Sequence, residues 1–372
     1  MAKLGDIATY INGYPFKPND WSDTGLPIIR IQDLTGNSYQ ANRYKGEYQP
    51  KYEVNAGDVL ISWSASLGVY IWQGEKALLN QHIFKVVFNK EAVSKDFFVF
   101  QVEQILKKAA QDVHGATMKH LTKPVFDALP FYLPSYEEQC NIANKLKYVR
   151  SIIEQRQEQL TKLDELVKAR FVEMFGDCRL NPKGWVTKNL DQVADVGSSK
   201  RVFVEELQSE GIPFYRGTEV GALAEGKSIR PELFITEGHY KQLCEATGKP
   251  QKGDLLMPSI CPDGRIWVVD TDAPFYFKDG RVLWVHLTSQ NYNPVFLLYT
   301  LKDRIMTDYE SIASGTTFAE LKIFALKKCR IFDVPLSLQN QFADFVAEVD
   351  KSKLLAELFA QNACILAENR SK

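Results

Sequence analysis

No Cys-x-x-Cys pair occurs in this sequence, and its six cysteines (140, 178, 244, 261, 329 and 364) are widely scattered. That spacing excludes a disulfide framework and a cysteine zinc site, and reads as reduced cytosolic thiols. No run of 18 apolar residues is present, and the opening MAKLGDIATYING has no apolar leader core. A membrane span and a secretory leader are therefore not expected, and the expected location is cytoplasmic. Charge of one sign is also missing. The net charge is −1, and summing side chains gives +1 for residues 1–134, 0 for 135–179, −1 for 180–333 and −1 for 334–372. A dedicated nucleic-acid binder usually carries a basic excess. Any such function here must come from local clusters, or from a complex whose other subunits supply the charge.

Catalytic patterns are equally scarce. Asn293-Pro294-Val295-Phe296 is close to the Asn-Pro-Pro-aromatic loop that holds a flipped adenine, but no Gly-rich cofactor loop follows a strand, so a helix start is the better reading. Pro262-Asp263 has no Glu-x-Lys pair following at useful distance, and His114 and His120, six apart, have no acidic or cysteine partner between them. No catalyst and no metal site is expected in this chain.

What is present is a long uninterrupted helical stretch, Tyr136 to Phe175, free of glycine and proline. Leu146, Ile153, Leu160, Val167 and Met174 recur at heptad spacing; a second row alternates Val149 and Leu163 with Arg156 and Arg170. This predicts one amphipathic helix of roughly 60 Å with a coiled-coil seam, in which the two arginines pair with acids on a partner helix. Ser135 with Glu138 forms a capping box, and Gly176 a C-cap.

At 372 residues two or three domains are expected. On either side of the long helix the same short motifs return in the same order. Gly25-Leu26-Pro27 and Arg30 reappear as Gly211-Ile212-Pro213 and Arg216, shifted by 186. Gly57-Asp58 and Gly68 return as Gly253-Asp254 and Gly264, shifted by 196. Gly115, Thr117 and Leu121 return as Gly315, Thr317 and Leu321, and Gln139-x-x-Ile142-Ala143 as Gln339-x-x-Phe342-Ala343, shifted by 200. A step-wise offset is what loop insertions in a duplicated domain produce. Short strands at Gly25–Arg30, Gly57–Ser62, Val69–Trp72 and His82–Phe88, a helix at Lys95–Asp112 and a last strand at Phe131–Leu133 make each unit α+β. The echo of the long helix runs from Leu336 to Asn369, with Phe342, Val346, Val349, Leu355, Leu358 and Ile365 as its seam. Two seams need covering, so the two helices are expected to pair as an antiparallel coiled coil, with the globular units in pseudo-two-fold tandem.

With Leu133-Pro134-Ser135-Tyr136-Glu137-Glu138-Gln139, Leu336-Ser337-Leu338-Gln339-Asn340-Gln341-Phe342 and the Gly-Leu-Pro, Gly-Asp and Gly-Ala-Thr motifs in this order, the whole chain resembles a specificity (S) subunit of a type I restriction–modification system. The resemblance implies target-recognition domains at 1–134 and 179–334, each reading half of a bipartite double-stranded DNA site, and helical spacers at 135–178 and 335–372. It implies modification (methyltransferase) subunits that bind S-adenosylmethionine and methylate adenine, and a restriction subunit, an ATP-dependent translocase that takes ATP and Mg, as partners. This chain would hold no cofactor, and no membrane is involved. The C-terminal helix departs from the pattern: it is shorter than the central one, and its heptad breaks after Lys351.

Candidate DNA contacts are side chains that end or follow the apolar strands: Arg30, Gln32, Asp33 and Arg216, with Ser62, Trp63 and Ser64, and Ser259 and Arg265, past the Gly-Asp strands. Arginine pairs with guanine and glutamine with adenine. Lys17 and Lys200-Arg201 lie in comparable loops, and Arg43, Lys45, Lys119, Lys278 and Arg281 suit phosphates. Two other readings are a duplicated-domain restriction endonuclease or DNA methyltransferase, and a non-DNA interaction scaffold.

Overall fold

The computed structural model describes residues 1–37, 42–112, 121–315 and 319–369. Lys119, His114, His120, Gly115, Thr117 and Thr317 lie outside the described residues, as does the side chain of Ile365. The chain divides into two compact units, residues 1–155 with 360–372, and residues 156–359.

In the first unit, β1 (Thr9–Asn12), β5 (Val59–Ser62), β6 (Gly68–Ile71) and β8 (Ile83–Val87) form an antiparallel sheet in the order β1-β8-β5-β6. β5 is buried along its whole length, which is why it reads as a continuous apolar run rather than an alternation. A second sheet orders β3 (Arg43–Tyr44), β2 (Leu26–Ile29), β7 (Ala77–Leu79) and β4 (Glu53–Val54) as β3-β2-β7-β4, with β2 and β7 parallel. Helix α1 (Lys95–Asp112) sets Phe97, Phe98, Val102 and Leu106 into a core with Val59, Ile61, Phe84, Phe126 and Phe131. The last strand is shorter and earlier than expected: Pro130–Phe131, paired with Ala2–Lys3.

The helix α2 (Tyr136–Phe175) comes next in the chain, and the second unit then repeats the order of the first. β9 (Ala194–Gly197), β12 (Leu255–Pro258), β13 (Trp267–Val268) and β15 (Val282–Leu287) form the sheet β9-β15-β12-β13. β10 (Ile212–Tyr215), β11 (Phe234–Ile235) and β14 (Tyr276–Phe277) form β11-β10-β14, again with the middle strand parallel to the later one. The first of these sheets matches its counterpart strand for strand; the second lacks only an equivalent of β4. The helix α3 (Pro294–Ile312) follows, capped by the Asn293 side chain, which accepts from the Val295 amide at 2.8 Å. The Asn-Pro motif is thus a helix start.

The repeated motifs are turns that the backbone requires. Gly25 and Gly211 have φ of +101° and +127°, and a Cβ there would stand 2.1 Å from the Tyr44 carbonyl and 2.5 Å from that of Ile235. The Gly-Asp turns match bond for bond. The Gly57 and Gly253 amides donate to Trp72 and Val269, and the Asp58 and Asp254 carboxylates accept the amides three residues back, of Asn55 and Gln251. Gln139 and Gln339, both fully buried, bracket the start of α1 and α3 in the same way. Gln139 accepts from the Ser94 amide and donates to the Ala92 and Pro134 carbonyls. Gln339 accepts from the Asn293 amide and donates to Asn291 and Val334. Each closes the loop before a helix against the start of the following long helix.

On α2, Ser135 accepts from the Glu138 amide at 3.3 Å, and the helix ends at Gly176, whose φ is +86°. Leu146, Val149, Ile153, Leu160 and Leu163 are half-buried and Val167 is buried, so the seam lies where the heptad puts it. In the second unit α2 runs antiparallel to α4 (Leu336–Asn369): Phe171 packs on Phe342, Asp164 meets Lys353, and Arg156 lies over Phe359. Phe171 and Phe175 reach Phe296 of α3, joining the helices to the sheet core.

The seam of α4 differs from expectation beyond Val349. Phe342, Val346, Val349, Lys353 and Ala356 are its inward positions, whereas Leu355 and Leu358 are 58% and 47% exposed. Spacings of four, three, four and three carry the stripe onto a lysine and an alanine, and the leucines fall on the outer face. Among the described residues, the arginines at seam positions make no ion pair with acids across the helices. Arg170 bridges Glu173 of its own helix at 2.8 Å and lies over the Phe345 ring; Arg156 donates to Gln159.

Candidate nucleic-acid interface

In each unit two parallel strands end side by side, which brings together segments that are distant in sequence. In the first unit Ile29 of β2 pairs with Leu79 of β7, and the next amide, Asn80, donates to the Ile29 carbonyl at 3.1 Å. In the second, Tyr215 pairs with Phe277, and the Lys278 amide donates to Tyr215 at 2.9 Å. Arg30 with Asn80 and Arg216 with Lys278 therefore occupy equivalent places. Beyond them, Asp33 accepts from the Arg30 amide at 2.7 Å and Glu219 from the Arg216 amide at 2.8 Å, the same turn in both units.

The two places differ in their charge. In the first unit a groove is lined by Phe16, Trp21, Arg30, Ile31, Gln32, Asn80, Gln81 and His82. Among the described residues, no carboxylate lines it. The Arg30 guanidinium lies over Trp21, 5.4 Å from the ring centroid, and makes no ion pair among the described residues. In the second unit Arg216 bridges Glu219 at 2.6 Å and Glu232 at 3.2 Å. Burial alone would raise the Glu219 pKa, but hydrogen bonds from the Arg216 guanidinium and backbone outweigh it and lower it to about 2. Lys278 and Arg201 both reach Asp279, and Arg281 pairs with Glu320. Arg265 is held by Asp263 at 2.7 Å and Glu225 at 3.4 Å. In the second unit these five cations are thus each neutralised by a neighbouring carboxylate.

Of the remaining candidates, Lys17, Lys45 and Lys200 are exposed and make no ion pair among the described residues. Arg43 is tied to the Gly25 carbonyl and Glu75, bracing β3 against the turn. Three serines are placed in the interior rather than on a reading surface. Ser62, fully buried, bonds the Ser64 and Ser66 carbonyls; Ser64 is 5% exposed; Ser259, 2% exposed, links to Arg281 and Leu321 through its backbone. Of the three, the Ser62 hydroxyl closes the loop after its strand, while Ser259 holds its loop through the backbone. Trp63 stacks on Phe84 and donates to Asn12. Asn80, Gln81 and His82 are not among the sequence candidates; only the parallel pairing of β2 and β7 brings them beside Arg30 and Gln32.

Comparison with known proteins accounts for the duplication. The family model for the type I restriction modification DNA specificity domain matches residues 1–162 and again 182–360. The chain belongs to this family and carries two such domains in tandem. It is 27% identical over 382 aligned residues to the Type I restriction enzyme EcoBI specificity subunit of Escherichia coli, covering 94% of this chain and 78% of that one. It is 23% identical to the MjaVIII specificity subunit of Methanocaldococcus jannaschii, covering 94% and 85%. Its fold is similar to the S subunit of the M. genitalium type I restriction-modification system (TM-score 0.55, 13% identity, 99% of this chain and 93% of that one). It is also similar to a chain from a structure on complex assembly and conformational transition of the type I R-M system (TM-score 0.59, 17% identity, 99% and 95%). Among the described residues, no helix is long and apolar enough to cross a membrane.

Proposed function

We propose that this chain is the non-catalytic, sequence-reading subunit of a type I restriction–modification enzyme. Each specificity domain takes one half of a split double-stranded DNA site, the halves roughly one helical turn (about 34 Å) apart, and the helices set that spacing and dock the modification subunits. The observation that carries this reading is the duplication of a domain whose equivalent strand ends bear different side chains: one frame, used twice, presenting two different reading edges. The partners would be modification subunits, which use S-adenosylmethionine to methylate adenine, and an ATP- and Mg-dependent restriction subunit, all in the cytoplasm. This chain itself would hold none of those cofactors.

Most non-specific DNA affinity comes from neutralising phosphates. With Arg43, Arg201, Arg216, Arg265, Lys278 and Arg281 already paired with carboxylates, the isolated chain should bind DNA weakly and need its partners for tight binding. The test is a genome-wide map of methylated adenine in the host with and without the gene. The reading expects one split motif to lose its methylation on deletion. An unchanged map in a host with an active system would overturn it.

A further inference from the structure

The groove at the ends of β2 and β7 contains an unsatisfied pair of polar groups. Gln81 and His82 share one hydrogen bond, Nε2 to Nε2 at 3.2 Å. The other polar atom of each, Gln81 Oε1 and His82 Nδ1, is buried and without a partner among the described residues. If the Gln81 amide donates to the ring, the atoms left over are an amide oxygen that accepts and a ring N–H that donates. If the amide is turned over and the ring carries its proton on Nε2, the leftovers are an amide NH2 and a bare ring nitrogen. Both arrangements leave one donor and one acceptor. Groups of this kind carry a desolvation cost until a ligand satisfies them.

The surroundings fit a base edge. Gln32 and Arg30, which makes no ion pair among the described residues, line the same groove. The nearby carboxylate, Asp33, accepts from the Arg30 backbone amide. The His82 ring is braced by Trp63, 5.6 Å between centroids. In the second unit the corresponding strand end is followed by Lys278 and Arg281, engaged with Asp279 and Glu320. The first unit instead offers an amide–imidazole pair at this place.

We propose that Gln81 and His82, with Arg30 and Gln32, form the base-reading edge of the first domain. The pair turns from its mutual bond to meet a base that offers a donor beside an acceptor, as adenine does in the major groove with N6–H and N7. This assignment rests on the proposed function and deepens it.

The test uses the assembled complex with its modification subunits. Wild type and the Gln81→Met and His82→Ala variants are compared by competition binding against duplexes in which each base pair of the site is changed in turn; Gln81→Met keeps the side-chain length and removes the amide. The expected result is that discrimination at one A·T pair, in one half of the site, falls roughly tenfold to a hundredfold, while the other half is read as before, which also reports that the variant is folded. Unchanged discrimination throughout the first half, or loss at G·C pairs only, would overturn the assignment. A wild-type complex that selects no split site would instead contradict the function itself.

Discussion

Lys353 of α4 bridges Asp164 of α2 at 2.7 Å from a seam position where the heptad calls for an apolar side chain. Burial by itself would lower the lysine's pKa, but Asp164 and Asp350 outweigh it and raise it. A charged side chain at a seam position fixes register at a cost in stability. Asp164 is largely exposed, so Asp164→Ala should destabilise by only about 0.2–1 kcal/mol, whereas Lys353→Leu should raise the unfolding midpoint. Because the lysine's pKa is raised on folding, its contribution is complete below the ordinary lysine range and is lost as pH rises through the raised value. Denaturation of both variants from neutral to alkaline pH checks this; an Lys353→Leu protein less stable than wild type would refute it.

The buried amides Gln139 and Gln339 each satisfy one backbone N–H and two carbonyls. Replacing either by leucine strands these groups, at about 1–3 kcal/mol for each group left unpaired. Both variants should lose stability to a similar degree, because the brackets are equivalent. Urea titration measures it. A loss confined to one of the two would mean that the brackets do different work.

Glu219, with its pKa lowered to about 2 by Arg216, contributes stability above the ordinary carboxylate range. That contribution is lost as pH falls from about 4.5 toward 2. Glu219→Gln should flatten the acid limb of the second domain's melting curve over that window. An acid limb identical in wild type and variant would place the acid sensitivity elsewhere.

Arg30 is stacked but unpaired among the described residues, whereas Arg216 is held by two carboxylates. In the assembled complex, Arg30→Ala should weaken DNA binding and reduce its salt dependence by up to about one unit of log–log slope if the guanidinium meets a phosphate, or relax one base position if it meets guanine. Binding isotherms across a salt series on matched and mismatched duplexes separate these outcomes. No change in either would remove Arg30 from the interface.

Much of this architecture is legible in the sequence because it is written in local patterns. The limits of α2 follow from the absence of glycine and proline between Tyr136 and Phe175, and the duplication from motifs that fold as turns, such as Gly57-Asp58 and Gly253-Asp254. The seam of α4 is misjudged when hydrophobicity alone is followed: Leu355 and Leu358 look like seam residues, yet the spacing from Phe342, Val346 and Val349 leads to Lys353 and Ala356. The candidate interface is legible only in part. Arg30 and Gln32 follow an apolar strand, which sequence shows, but Gln81 and His82 join them through a parallel strand pair that no local pattern encodes. Ser62, Ser64 and Ser259 carry a polar signal in the sequence, yet all three are buried, and the Ser62 hydroxyl is spent on its own turn.

The most direct test of two domains reading two half-sites is to exchange residues 1–134 for the corresponding segment of another family member and map adenine methylation in the host. One half of the split motif should change while the other half and the spacing persist. A motif altered in both halves, or not at all, would contradict the assignment of one half-site to each domain.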